Sequence, residues 1–173
     1  MRRNLGIGIA IAVMLALALV VSNFTLAAGS DTAKADDRDH VQTIQLTATT
    51  FAAKDFDLDP SGPSLGDYTV VTENLFRGGK KVGTDHAICT ITRLEPPTGT
   101  PKRGALQCLA TLLLPEGQIT VQGVHAGSVR QQGPPRFTLA ITGGTDAYKT
   151  ARGQVRIVDI SATESRLTLT LIL

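Results

Sequence analysis

From Val41 to Leu173 one pattern recurs: a short run of alternating or β-branched residues, then a cluster of turn residues. Eight such runs can be marked: "VQTIQLTATT" (Val41–Thr50), "DYTVVTENLF" (Asp67–Phe76), "VGTDHAICTITRL" (Val82–Leu94), "GALQCLATLLL" (Gly104–Leu114), "QITVQGVHAG" (Gln118–Gly127), "RFTLAIT" (Arg136–Thr142), "GQVRIVDIS" (Gly153–Ser161) and "SRLTLTLIL" (Ser165–Leu173). Period-two alternation is the mark of strands that bury one face. The punctuation, "RGGK", "EPPTGTPKR", "PEGQ", "RQQGPPR" and "ATES", is turn chemistry. Short connections favour antiparallel neighbours, and an even count near eight closes into a barrel with no edge left to template aggregation. The expected fold is therefore all-β, an eight-stranded antiparallel closed β-barrel. A two-sheet sandwich would use the same number of strands.

The glycine-rich "GGTDAY" (Gly143–Tyr148) is the one stretch that could suggest a phosphate cradle. Such a cradle needs spaced glycines, a helix behind them and, in the nucleotide-binding version, a following Gly-Lys-Ser/Thr. Here the glycines are adjacent and "GQVRIVDI" alternates like a strand, so a corner between strands fits better. Only "TDAYKTAR" can hold a helical turn, with Asp146 as its expected N-cap and Gly153 beyond its end. "GPSLG" (Gly62–Gly66) matches Gly-x-Ser-x-Gly, but a nucleophile elbow needs a strand before it and a helix after it. This one sits in a Pro/Gly-rich loop that leads into a strand.

The N-terminus sets the compartment. Arg2 and Arg3 precede an apolar run from Leu5 to Val21, and the small residues "TLAAGS" follow. That order is a secretory signal over residues 1–28, with an uncleaved membrane anchor as the rival. Either way the rest of the chain is expected to be secreted or extracytoplasmic. Residues 29–40 are small and polar and read as a tether, leaving residues 41–173 as the barrel domain. Removing the first 28 of 173 residues leaves 145, with 15 basic residues against 15 acidic ones. A neutral chain has no electrostatic reason to bind nucleic acid. Three scattered histidines do not make a metal site.

Exported cysteines usually pair, and Cys89 and Cys108 are the only two. They flank "RLEPPTGTPKRGAL", and the midpoint between them falls at Thr98–Gly99. A hairpin centred there sets them opposite one another, where a disulfide can form. Two free thiols in different registers are the alternative.

An eight-stranded barrel has room for packed side chains or for one small ligand. Past the signal segment the aromatics are Phe51, Phe56, Tyr68, Phe76, Phe137 and Tyr148, with no Trp, so bulky plugs are scarce. Aliphatic residues and Thr would line most of the lumen, and an apolar small molecule suits it. A lumen packed solid is the competing expectation.

Four blocks carry a family resemblance: "GDYTVVTENLFRGGKKVGTDHAICTI", "ITVQGVH", "FTLAITGGTDAYKTARGQVRI" and "RLTLTLIL". In the same order they resemble the barrel of allene oxide cyclases, and "GGTDAYKTARG" is similar to the corresponding corner of dirigent proteins. The resemblance spans roughly residues 65–173. It implies an eight-stranded barrel with an apolar lumen, no cofactor, and assembly as a dimer or trimer. It also implies a function: cyclisation or isomerisation of a reactive apolar guest, or dirigent-like binding that only orients one.

Carried over residue by residue, the cyclase Cys falls on Cys89 and its water-holding Asn on Glu73. Its lumen Tyr falls on His125. Gln45 stands where the first-strand carboxylate would be, since no Glu occurs between Gly29 and Thr72. Glu73 and His125 are thus the candidate catalytic residues, and Gln45, Val71, Leu75 and Ile91 the candidate ligand-binding wall. Glu73 points inward only if Thr69, Val71 and Leu75 do. The opposite phase would turn Tyr68, Val70, Thr72 and Asn74 into the barrel. Period-two counting sets His86 on the face opposite Cys89.

Overall fold

The computed structural model describes residues 40–97, 99–128 and 135–173, with the backbone alone at Ser128. The expected signal segment and all of the tether but His40 lie outside the described residues. Eight strands follow one another: β1 (Val41–Phe56), β2 (Tyr68–Arg77), β3 (Lys80–Glu95), β4 (Arg103–Leu114), β5 (Gly117–Ser128), β6 (Arg136–Gly144), β7 (Arg152–Asp159) and β8 (Glu164–Ile172). Each pairs antiparallel with the next, and β8 pairs with β1, so the sheet closes as a barrel. The sandwich is excluded.

Antiparallel order places the connections alternately at two ends. Turns at Gly78–Gly79 and Pro115–Glu116, the β6–β7 corner and the barrel's two termini share one end. The main-chain N–H of Leu173 donates to the carbonyl of His40 at 3.1 Å and ties those termini together. The β1–β2, β3–β4 and β7–β8 connections lie at the opposite end, where β5 also ends and β6 begins.

β1 is longer than its alternating run. It continues past Thr50 to Phe56 because its pairing with β2 slips by one between Thr50 and Ala52. Such a bulge shifts the inward phase from even to odd residues and hides the second half of the strand from a period-two count. At the β6–β7 corner a single 3-10 turn, Asp146–Tyr148, replaces the expected helical turn. Its N-cap is Thr145, not Asp146. Thr145 has extended backbone, whereas Asp146 takes a φ of 54°. The Thr145 hydroxyl accepts the Gln118 N–H at 3.0 Å and so ties the corner to β5. Gly144 is required there: a Cβ would press on the Gln118 carbonyl and lie 2.7 Å from the Tyr148 carbonyl oxygen.

The end that carries the termini is solid. Inward residues Ile44, Leu46, Leu75, Leu112, Ile119, Leu139, Leu169 and Leu171 are all buried in one cluster with Tyr148 and Ala151 of the corner. Each fully buried aliphatic side chain contributes about 1.5–3 kcal/mol to folding. The packed-lumen expectation therefore holds for this half of the barrel and fails for the other.

Candidate ligand site at the open end of the barrel

At the loop-covered end the lumen opens into cavities. One of about 500 Å³ lies between inward residues of β3, β4 and β5 and the β3–β4 loop, with Ile91, Leu106, His125 and Pro101 among its walls. A neighbouring cavity of about 330 Å³ shares Pro63, Ile91 and Leu106 with it and reaches Thr69 and Cys89. The β1–β2 loop covers this side. Its fold is pinned by Asp67, whose carboxylate accepts the Leu58 N–H at 2.9 Å, the Ser64 N–H at 2.7 Å and the Ser64 hydroxyl at 2.9 Å. Those bonds, the Leu58 N–H first, hold the Asp67 carboxyl below its ordinary range. Ser64, the central residue of the Gly-x-Ser-x-Gly match, thus serves as a loop fastener.

A third cavity, of about 400 Å³, lies at the same end beside β1, β2, β7 and β8, and it is polar: Thr50, Glu73, Asp159, Glu164 and Ser165 line it. Pairing sets Thr50, Glu73, Asp85 and Leu112 in one cross-strand row on β1–β4. Residues directly opposite carry Cβ atoms about 4.5–5.5 Å apart, so Glu73 and Asp85 are side by side on one face. Barrel strands tilt, so the row runs obliquely from the mouth at Thr50 to the packed floor at Leu112. Asp85 is only 6% exposed. Its Oδ1 is buried and has no hydrogen-bond partner among the described residues.

Burial dominates the electrostatics. Loss of water, then the neighbouring Glu73 charge, pushes the Asp85 carboxyl up to about 7, against a smaller pull from the His86 main-chain N–H. Glu73 is raised as well, first by burial and then by the charge of Asp159. Asp159 accepts the Ser165 hydroxyl at 2.8 Å. A carboxyl that holds its proton near neutral pH inside an apolar vessel can donate a hydrogen bond or a proton, and an ionised neighbour can accept one.

The structure distributes the sequence candidates unevenly. Glu73 faces inward: its flanking residue Leu75 is wholly buried and its partner is Asp85. Val71 shares that phase, opposite Ala53 and Ala87. Ile91 lines both apolar cavities. His125, on β5, lines the cavity of about 500 Å³, and its ring packs against Phe137 with centroids 4.7 Å apart. Glu73 and His125 therefore open into different cavities. Leu75, at 0% exposure, belongs to the packed floor and not to a ligand wall. Gln45 is a second correction. It is exposed on the outer face, opposite Thr168, because Ile44 and Leu46 on either side of it fill the core. Cys89 and Cys108 pair in register and form a disulfide, so neither offers a thiol to the lumen. His86 is exposed on the outer wall.

Three acids of the site, Asp85, Asp159 and Glu164, are absent from the sequence candidates. Asp85 lies four residues before Cys89, and the same period-two count that sets His86 outside sets Asp85 inside. Asp159 ends β7, where the alternation of "GQVRIVDI" weakens. Only the pairing with Ser165 reveals its phase.

Residues 42–171 match the family model described as allene oxide cyclase barrel like domain. No curated protein matches the chain. Among solved structures, a pyocyanin demethylase aligns at 25% identity with a TM-score of 0.63, covering 75% of this chain and 99% of that one. A Diels-Alderase from Streptomyces koyangensis aligns at 16% identity and TM-score 0.59, over 80% of this chain and 70% of that one. A pterocarpan synthase dirigent protein aligns at 15% identity and TM-score 0.52, over 76% and 83%.

Proposed function

The chain belongs to the allene oxide cyclase barrel like family, and on that premise we propose that it is an exported small-molecule barrel. It takes an apolar guest through the open end and directs its cyclisation or isomerisation with side-chain acids and no cofactor. One observation carries this reading: the barrel is packed solid at one end and open at the other, over apolar walls that include Ile91 and Leu106. Rigid apolar walls hold a flexible guest near one reactive geometry and keep water from it. Asp85 and Glu73 supply the proton donor and acceptor, and His125 a polar contact on β5. Named neighbours span demethylation and Diels-Alder chemistry, so likeness supports the vessel more than any one reaction.

Self-association belongs to the same reading. Val70, Ile88 and Leu109 form one exposed apolar row across the outer wall of β2, β3 and β4.

The test is a titration with N-phenyl-1-naphthylamine, a neutral apolar fluorophore. One molecule is expected to bind per barrel with a blue-shifted emission, and Ile91→Arg is expected to abolish it. No binding to the folded wild-type protein refutes the reading. With a polyene or epoxide guest in place, Glu73→Gln and His125→Ala are expected to lower the rate of ring closure while the fold stays intact.

A further inference from the structure

The cavity of about 500 Å³ between β3, β4 and β5 has a charge pattern that a purely apolar guest does not need. Among the described residues, its only ionisable walls are Arg93 and His125, and no Asp or Glu lines it. His125 is half-buried; its ring packs on Phe137 and makes no hydrogen bond among the described residues. An imidazole placed so on an apolar wall keeps its hydrogen-bonding capacity for a guest. Arg93 pairs through Nη2 with Oε1 of Glu95, and Arg103 Nε lies 3.9 Å from Oε2 of the same carboxylate. Two guanidiniums divide one carboxylate, which leaves net positive charge at the foot of the β3–β4 connection. The Arg93 side chain is 71% exposed, and its fork has further N–H donors to offer. We propose that this cavity is a subsite for an oxyanion, so that the guest of the barrel carries a carboxylate or a similar acidic oxygen group at one end of its apolar frame, held by Arg93 and His125.

The subsite rests on the guest-binding reading and adds the guest's charge and orientation. The adjoining cavity of about 330 Å³ has the opposite sign, since Asp55, Asp57 and Asp67 line it. Their carboxylates are already engaged. Asp55 accepts the Thr69 hydroxyl at 2.5 Å, Asp57 accepts the Gly62 N–H at 3.2 Å, and Asp67 fastens the β1–β2 loop through Leu58 and Ser64. An anion placed among them is repelled, whereas the same anion beside Arg93 is attracted. Ile91 and Leu106 belong to both cavities and give an apolar body one continuous wall between them. A guest with one acidic end therefore lies with that end toward Arg93 and His125 and its frame over Ile91 and Leu106. Burying a charge is costly unless it is paired and hydrogen-bonded, so an exposed guanidinium at the mouth suits an anion better than the packed floor does. A guanidinium also meets a carboxylate with two parallel hydrogen bonds, which fixes direction as well as affinity.

The experiment compares N-phenyl-1-naphthylamine with 8-anilinonaphthalene-1-sulfonate, the same fluorophore carrying one anionic group. Both are titrated into the wild-type protein at low salt. The sulfonate is expected to bind about tenfold more tightly, the scale of one charge-assisted hydrogen bond. That preference should shrink as salt is raised, because Arg93 is exposed. Arg93→Gln and His125→Gln are each expected to lower the ratio of the two affinities severalfold. Glu95→Gln, which releases Arg93 from its partner, is expected to raise it. Arg156→Gln removes an exposed arginine of β7 and is expected to leave the ratio unchanged. Three results overturn the inference while N-phenyl-1-naphthylamine binding upholds the guest-binding reading: equal affinity of the two fluorophores, a preference that survives Arg93→Gln combined with His125→Gln, or one that falls as far in Arg156→Gln. Failure of both fluorophores to bind the folded wild-type protein overturns both.

Discussion

Replacing Asp85 with Asn tests the buried acid row through stability alone. In the folded chain the Asp85 carboxyl is pushed from 3.8 up to about 7. A raised acid means that the folded state binds more protons than the unfolded chain between those values. Its contribution to stability is complete below about pH 3.8 and is lost as pH rises through 7. Each tenfold change in proton affinity corresponds to about 1.4 kcal/mol, which sets a ceiling of about 4 kcal/mol between pH 4 and pH 8. Water entry and relaxation reduce that figure, and about 2 kcal/mol or more is expected. Asp85→Asn has no proton to lose. At pH 4 the variant should equal the wild type or fall below it by about 1–3 kcal/mol, because its amide also lacks partners. At pH 8 it should match or exceed the wild type. Urea unfolding from pH 4 to pH 8 measures both curves. Some slope will remain in the variant, since Glu73 is raised in the same direction. The double variant with Glu73→Gln should be flatter still, and the pair should be non-additive. Parallel wild-type and Asp85→Asn curves would falsify the claim that Asp85 is buried beside Glu73.

Two further outcomes follow from the same geometry. Cys89 and Cys108 close a loop with a sequence separation of 19 residues, so replacing both with Ala should cost about 3 kcal/mol in denaturant unfolding; alkylation of two thiols in the native, non-reduced protein would refute the bridge. Leu109→Lys places a charge in the exposed row with Val70 and Ile88 and should shift light-scattering mass toward the monomer, whereas an unchanged mass would remove that wall as an interface.

The architecture is legible in the sequence because it is written locally. Turn clusters separate eight alternating runs, and a closed antiparallel barrel is the arrangement that leaves none of their edges bare. The disulfide is legible for the same reason, since a hairpin centred at Thr98–Gly99 fixes which residues face each other. The site is only half legible. Glu73 and Asp85 meet across β2 and β3, but their partnership with Asp159 depends on closure of β8 against β1, which no local pattern states. Gln45 is misplaced when a matching position in a relative outweighs the plain alternation of Ile44, Gln45 and Leu46. Where the lumen is filled and where it is open depends on strand tilt and on the bulge at Thr50, and neither has a compositional signature.

Guest binding as proposed requires that the guest occupy the open end of the lumen and nothing else. Isoleucine δ1 methyl spectra, recorded while N-phenyl-1-naphthylamine is titrated in, probe this requirement region by region. Ile91 lines the open cavities, Ile44, Ile119 and Ile141 lie in the packed floor, and Ile88 is on the outer wall. The Ile91 methyl is expected to move and saturate at one probe per barrel while the floor and outer-wall methyls hold still. Movement confined to Ile88, or an Ile91 signal that never responds while the probe binds, would overturn the guest-binding reading.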